Sequence, residues 1–317
     1  MRRTLGYVDG LGSGATWGVV AILLPGLDQL AGASLIAVSV AVAALFDTAA
    51  AFLLLIRSAL SGSLGEVVRV LFSKRVLSVG VCSLLGGPLF MGGYVVAVIA
   101  AGPSVALTAT ATYPVIGALL ARPLLRERLD RVGWLGVSVT VAGATLIVVD
   151  ASGSNGGTNI LVGGAVALAA AAAVALEGIV ATSAMVGLGT NTVMAVRELL
   201  SAAMFGVVLL VIPGGIATTA AIAVDARLIV PIACAGMIGG YSYVLWYRSI
   251  RRIGAARAMA LNISYAMWGA LFAWSLQDVV LAPLALAGCV VVSAGAVMTI
   301  LSGRVTPATN LIAVPGT

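Results

Sequence analysis

Four charged residues, Asp47, Glu177, Arg197 and Glu198, stand in stretches otherwise rich in Ala, Val, Leu, Gly and Ile. Glu177 is the most isolated, with no other charge within nineteen residues on either side. An acid so deep in an apolar run of membrane-spanning length costs roughly 2.5–3.5 kcal/mol to insert, so a cation, a proton or a ligand is its expected partner. Asp47 and Arg197 are expected to pair across the bundle, which would remove two isolated charges from hydrocarbon. Two other roles remain open, with Asp47 carrying a proton or Arg197 meeting a substrate carboxylate. Glu198 is not expected to face Arg197, since neighbours on a helix point about 100° apart, and is placed towards the cytoplasmic interface. Further along, Asn262, Tyr265, Trp268 and Gly269 share one helical face, which must meet something polar or flat.

The elements that must position these groups follow from composition. With 61% hydrophobic and only 9% charged residues in 317, the chain is expected to be an all-α integral membrane protein. Ten apolar windows read as spans, at 10–24, 34–56, 77–100, 105–121, 132–149, 160–184, 193–212, 228–247, 255–276 and 281–301. They are continuously apolar, not alternating, which favours helices over a barrel. The net charge of +6 comes from basic residues in short loops, so it is a topology signal, and no nucleic-acid partner is expected. Cys82, Cys234 and Cys289 lie inside spans without metal-ligand spacing and read as buried, inert thiols. Arg2 and Arg3 ahead of an apolar run, with Ala31-Gly32-Ala33 beyond it, have the form of a cleavable signal. Cleavage is not expected, because the first span completes an internal repeat.

That repeat emerges on shifting the chain by 152 residues. Cys82 to Ala144 then lies over Cys234 to Ala296 without a gap, and 16 of the 63 pairs are identical. Tyr113 meets Tyr265, and Gly117-Ala118-Leu119 meets Gly269-Ala270-Leu271. The expected organisation is a five-helix repeat at 1–151, a second at 158–303 and a cytoplasmic tail at 304–317. Because five is odd, the second unit should enter the membrane inverted. Loop charge agrees: Arg122, Arg126, Arg128 and Arg131 follow span four, whereas the equivalent loop after span nine has no Lys or Arg and carries Asp278. Placing both termini in the cytoplasm of a plasma-membrane protein puts 15 of the 17 Lys and Arg inside, leaving Arg227 outside and Arg197 within the membrane. Inverted units suit alternating access around a midplane site. Gly86-Gly87-Pro88 in span three and Gly239-Gly240 in span eight are breakers at matching depth that point to that site, or to close helix packing.

The run Tyr113-Pro114-Val115-Ile116-Gly117-Ala118-Leu119-Leu120, closing at Glu127, resembles the fourth helix of the drug/metabolite transporter superfamily of EamA-like, ten-helix proteins, and Trp17-Gly18 fits its first helix. More narrowly, the chain is similar to the LicB-type choline permeases in Thr16-Trp17-Gly18, Asp47, Leu84-Leu85-Gly86-Gly87-Pro88, Thr112-Tyr113-Pro114, Glu177, Arg197 and Asn262-Ile263-Ser264-Tyr265-Ala266-Met267-Trp268. The resemblance implies a secondary transporter for choline or a related quaternary ammonium compound. The alternative within the superfamily is an exporter of amino acids, nucleosides or cationic drugs.

A trimethylammonium group has no N–H to donate, so it is held against aromatic faces with a carboxylate nearby. Setting Trp17-Gly18 over Glu177-Gly178 makes those two side chains equivalent. The expected substrate box is therefore Glu177, Trp17, Tyr113, Tyr241, Tyr265, Trp268 and Asn262, with Tyr243 a further candidate. Trp134, Trp246, Tyr247 and Trp274 read as interface anchors. For each box residue, plain helix packing or a structural hydrogen bond is the competing reading. No cofactor or metal is expected, since the chain lacks a phosphate-binding loop and any His or Cys cluster. With no nucleophile backed by a base, no enzymatic chemistry is expected. Coupling to a proton, with Glu177 or Asp47 as carrier, is the preferred energy source. The expected partners are the choline-like cation and the bilayer, with a homodimer left open.

Overall fold

The structure, a computed structural model, describes residues 2–23, 34–101, 103–151, 159–278 and 280–302. The Ala31-Gly32-Ala33 run, most of the join between the expected units and the 304–317 tail lie outside the described residues. Every regular element among the described residues is helical: α1 (Arg2–Leu23), α2 (Leu35–Leu60), α3 (Leu64–Leu71) and α4 (Val76–Leu84), then a π-helical segment (Leu85–Gly92) and α5 (Gly93–Ala101). There follow α6 (Pro103–Thr110), α7 (Tyr113–Leu124), α8 (Arg131–Ala151), α9 (Ile160–Ala184), α10 (Thr190–Val211), α11 (Gly215–Val224), α12 (Ala226–Ile253), α13 (Ala255–Asn262), α14 (Tyr265–Gln277) and α15 (Pro283–Leu301). Six of the helices, Leu35–Leu60, Val76–Val98, Ile160–Ala184, Thr190–Val211, Ala226–Ile253 and Pro283–Leu301, are long and apolar enough to cross a membrane. The protein is an all-α, multi-pass membrane protein.

Local chemistry starts several of these helices. Ser34 Oγ accepts from Ala37 N at 3.1 Å to cap α2, and Asn159 Oδ1 accepts from Val162 N at 3.1 Å to cap α9. Asp225 does the same for α12 through Arg227 N at 2.8 Å. Two expected spans are interrupted instead of continuous: Ala111 and Thr112 separate α6 from α7, and Ile263 and Ser264 separate α13 from α14. Neither break contains Gly or Pro, the usual punctuation, so hydropathy alone gives no warning of it. Pro88 lies inside the π-helical segment, where a wider turn accommodates a residue that cannot donate to the backbone ladder. Gly239-Gly240, expected to match it as a breaker, instead packs inside unbroken α12, where a Cβ at Gly240 would come within 2.8 Å of Ala50 Cβ in α2. Arg126 and Asp278, each just past a helix end, are the only non-glycine residues with positive φ among those described, both at 55°.

Among the described residues the most extensive helix contact joins α8 to α15, and glycines line it. A Cβ at Gly143 would lie 2.6 Å from Val292 N and 2.8 Å from Gly288 O, while one at Gly136 would lie 2.7 Å from Thr299 N and 3.0 Å from Gly295 O. The backbones approach this closely because no side chain intervenes, which in lipid is the main source of helix attraction.

One end of the bundle is tied by basic residues from the α12–α13 turn. There Gly254, at φ 91°, lets the chain reverse. Arg252 pairs with Asp9 of α1, Arg251 donates to Met185 O at 2.6 Å beyond α9, and Arg257 donates to Ser302 O at 3.1 Å after α15. Glu127, from the α7–α8 loop, accepts from Ala255 N at 2.9 Å and Ala256 N at 3.2 Å, satisfying the first amides of α13. Burial raises the Glu127 carboxyl above its usual range, against the opposing pull of those two amides and Arg257.

Gly143→Val is expected to lower the thermal midpoint of the purified protein clearly, by an amount corresponding to about 1–3 kcal/mol of overpacking. Gly206→Val, at a glycine with open space around it, should leave the midpoint nearly unchanged.

Candidate functional site

Arg197 of α10 is 2% exposed and ties together residues from three other helices. Its Nε donates to Glu177 Oε1 of α9 at 3.0 Å, and its Nη1 donates to Glu198 Oε1 at 2.9 Å. Its guanidinium stacks over the Tyr243 ring of α12, 4.5 Å from the centroid. Tyr247, one turn on, donates its hydroxyl to Glu177 Oε1 at 2.9 Å, and Ser83 of α4 donates to Arg197 O at 2.9 Å. Gly86 leaves the room this cluster needs, since a Cβ there would collide with the Glu177 carboxylate and the guanidinium. The Gly-Gly-Pro segment thus serves the site by close approach.

Several expectations change here. Arg197 makes its ion pairs with Glu177 and Glu198, not with Asp47, whose Oδ2 accepts from Ser201 Oγ at 2.6 Å. Asp47 still acts on the guanidinium electrostatically, as one of three carboxylates around it. Glu198 does not reach an interface; it is 1% exposed and bonded to its own neighbour. The 100° separation applies at Cα, and two long side chains can curl back across it. Tyr247 and Trp246, read as interface anchors, are 0% and 3% exposed and belong to the interior. Trp274 is 57% exposed, as an anchor would be.

Beside this cluster lies an open cavity, about 410 Å³ with the solvent space at its mouth included, lined by Trp17, Phe90, Tyr113, Tyr243, Trp246 and Tyr265, by Ser13, Ser242 and Asn262, and by Val174. The rings are mutually braced edge to face: Trp17 and Tyr243 have centroids 5.5 Å apart at 89°, and Tyr243 and Trp246 are 5.6 Å apart at 75°. A polar thread crosses the wall. Tyr113 donates to Asn262 Oδ1 at 2.6 Å, Asn262 Nδ2 donates to Ser13 Oγ at 2.7 Å, and Ser242 donates to Ser13 O at 2.7 Å. Both helix breaks serve this wall, because Tyr113 and Tyr265 begin α7 and α14 and Asn262 ends α13.

Of the expected box, Trp17, Tyr113, Tyr265 and Asn262 come together on the cavity, and Glu177, Tyr241 and Trp268 do not. Glu177 is committed to Arg197 and Tyr247, and among the described residues no carboxylate lines the cavity. Tyr241 turns to the other side of α12, under Arg57 at 5.4 Å, because two residues from Tyr243 is more than half a helical turn. Trp268 stacks on Phe272 at 5.9 Å, with its backbone against Gly18. Sequence reasoning missed Ser13, Phe90, Val174, Ser242 and Trp246. A signal existed for Trp246: Tyr243, Trp246 and Tyr247 stand at i, i+3 and i+4, one aromatic stripe on α12.

No protein-family model and no curated protein matches this chain. Among solved structures, one described only as "Crystal structure of protein" superposes with a TM-score of 0.78 at 16% identity, covering 100% of both chains. At that identity the likeness concerns the fold alone.

Removing one member of a buried ion pair strands the other, at a cost of about 3–5 kcal/mol. Arg197→Met should therefore lower the thermal midpoint far more than Tyr247→Phe, which deletes a single hydrogen bond to a charged group worth about 1.5–3 kcal/mol. Equal midpoints for the two variants in detergent would contradict the network.

Proposed function

We propose that the protein is a secondary transporter of the plasma membrane, a permease for choline or a closely related quaternary ammonium compound. The carrying observation is the aromatic cavity. Six rings lining this open cavity offer the electron-rich faces that a methylated ammonium needs, with contacts of about 2 kcal/mol each when desolvated. Net negative charge comes from the cluster behind Tyr243, where three carboxylates surround one guanidinium. The carboxylate of the box thus acts through the ring wall and not by touching the substrate.

The proposed architecture is ten spans in two inverted five-helix units, resembling the drug/metabolite transporters, with both termini in the cytoplasm. Features outside the sequence alignment support it. The breaks at Ala111-Thr112 and Ile263-Ser264 are 152 residues apart, as are the positive-φ residues Arg126 and Asp278. Gly136 meets Gly295 while Gly143 meets Gly288, the reciprocal pattern that a pseudo-two-fold axis between α8 and α15 requires. The short helices α3 and α11 begin 151 residues apart. On this reading the end tied by Arg251, Arg252 and Arg257 faces the cytoplasm.

Labelled choline should accumulate in proteoliposomes, and betaine, carnitine or a neutral amino acid should compete weakly. Failure of choline to enter or exchange, with accumulation of an amino acid or nucleoside instead, would turn the reading to the exporter alternative. Tyr243→Ala and Trp17→Ala should each weaken choline binding by about 30-fold, the equivalent of one desolvated cation–π contact. Trp274→Ala should leave it unchanged, and calorimetry of the purified variants checks the order.

A further inference from the structure

The wall of the cavity holds a hydrogen-bond chain whose direction is fixed. Tyr113 gives its hydrogen to Asn262 Oδ1 at 2.6 Å, Asn262 Nδ2 donates to Ser13 Oγ at 2.7 Å, and Ser242 gives its hydrogen to Ser13 O at 2.7 Å. Ser13 Oγ and Ser242 Oγ are 3.2 Å apart, and with the Ser242 hydrogen committed, Ser13 is the donor in that contact. Each of the three hydroxyls has thus spent its one hydrogen. A carboxamide carries two, so Asn262 keeps one N–H beyond its bond to Ser13.

Position singles out the same residue. Ser13, Ser242 and Tyr113 are buried, whereas Asn262 keeps partial exposure and lines the cavity. Its amide is pinned on both sides, at Oδ1 by Tyr113 and at Nδ2 by Ser13, so the remaining N–H has a set direction in the amide plane. The Tyr243 and Tyr265 hydroxyls, on the same cavity, swing about their C–O bonds and can donate or accept. The Trp246 indole nitrogen lacks a partner among the described residues, but it is itself buried and out of a ligand's reach. Rings stand close to the pinned amide: Trp17 lies one turn of α1, about 5.4 Å, beyond Ser13, and Tyr243 follows Ser242 on α12.

We infer that Asn262 is a specificity-determining residue of the cavity, and that it reads a hydroxyl oxygen carried on a two-carbon arm of the quaternary ammonium. This inference rests on the cation-transport reading and narrows it. The methylated nitrogen lies against Trp17 and Tyr243, and the hydroxyl oxygen accepts from Asn262 Nδ2. A hydrocarbon arm strips water from that N–H and returns no bond, which is the penalty by which a site built for a hydroxyl rejects the analogue lacking it. A carboxylate arm meets a different obstacle, since three carboxylates against one guanidinium stand behind Tyr243.

Calorimetry of the purified protein should compare choline with n-propyltrimethylammonium, which carries a methyl in place of the hydroxyl. The wild type should bind choline about tenfold more tightly, and Asn262→Leu should erase that preference while leaving the n-propyl affinity within about twofold. In that variant Tyr113 keeps Met259 O, at 3.2 Å, as its acceptor, so the wall is expected to stand. If Asn262→Leu does not fold, Ser13→Ala takes its place: it releases the amide, and the choline preference should shrink with n-propyl binding unchanged. Equal affinity of the wild type for the two cations overturns the inference, as does a preference that survives the substitution or a loss shared equally by both cations. Binding of neither cation by the wild type refutes the cation reading itself and this inference with it, an outcome distinct from equal binding.

Discussion

A guanidinium cannot lose its charge inside hydrocarbon, so whatever surrounds Arg197 must be arranged to keep it. That requirement organises the centre of this protein. Glu177 and Glu198 supply the countercharge, Tyr243 covers the flat face, and Ser83 ties the backbone of α10 to α4. The backbone at Gly86 must come close enough for the carboxylate and guanidinium to meet, and the π-helical turn around Pro88 lies directly after that contact. Four helices, α4, α9, α10 and α12, thus meet at this one residue.

The cavity depends on the same interaction. Tyr243 carries the Arg197 guanidinium, stands edge to face with Trp17 and Trp246, and lines the cavity. A wall of rings threaded by Ser13, Ser242 and Asn262 would suit a ligand that is charged yet weakly hydrated. In the proposed transporter, charge and shape are divided between two layers: the acids set the local potential, and the rings set the fit.

Much of this was legible before folding was considered. The isolation of Glu177 and Arg197 in apolar runs marked them as partners of something, and the helical face of Asn262 and Tyr265 marked a polar wall. Hydropathy placed several of the long helices within a few residues of their observed ends, as at Ile160–Ala184, but started α1 eight residues late and ended α12 six residues short. Pairings were less legible. Asp47 was expected to pair with Arg197 across the bundle, but sequence fixes depth and not azimuth, and Glu177 and Glu198 make the ion pairs. Trp246 was assigned to an interface because its span was drawn to end at residue 247, whereas α12 runs on to Ile253 and carries that ring inside.

Composition and periodicity by themselves determined that this chain is a bundle of membrane helices, because lipid leaves the backbone no other way to satisfy its hydrogen bonds. They also determined which few polar residues had to be accounted for. Only the tertiary structure decided that Glu177 is spent on Arg197 and Tyr247, that Glu198 folds back on its neighbour, and that Ser13, Phe90 and Trp246 join the cavity. The physical reason is that a spacing along one helix says which side chains share a face. What that face meets is set by helices as much as 249 residues away, and by where glycine lets their backbones touch.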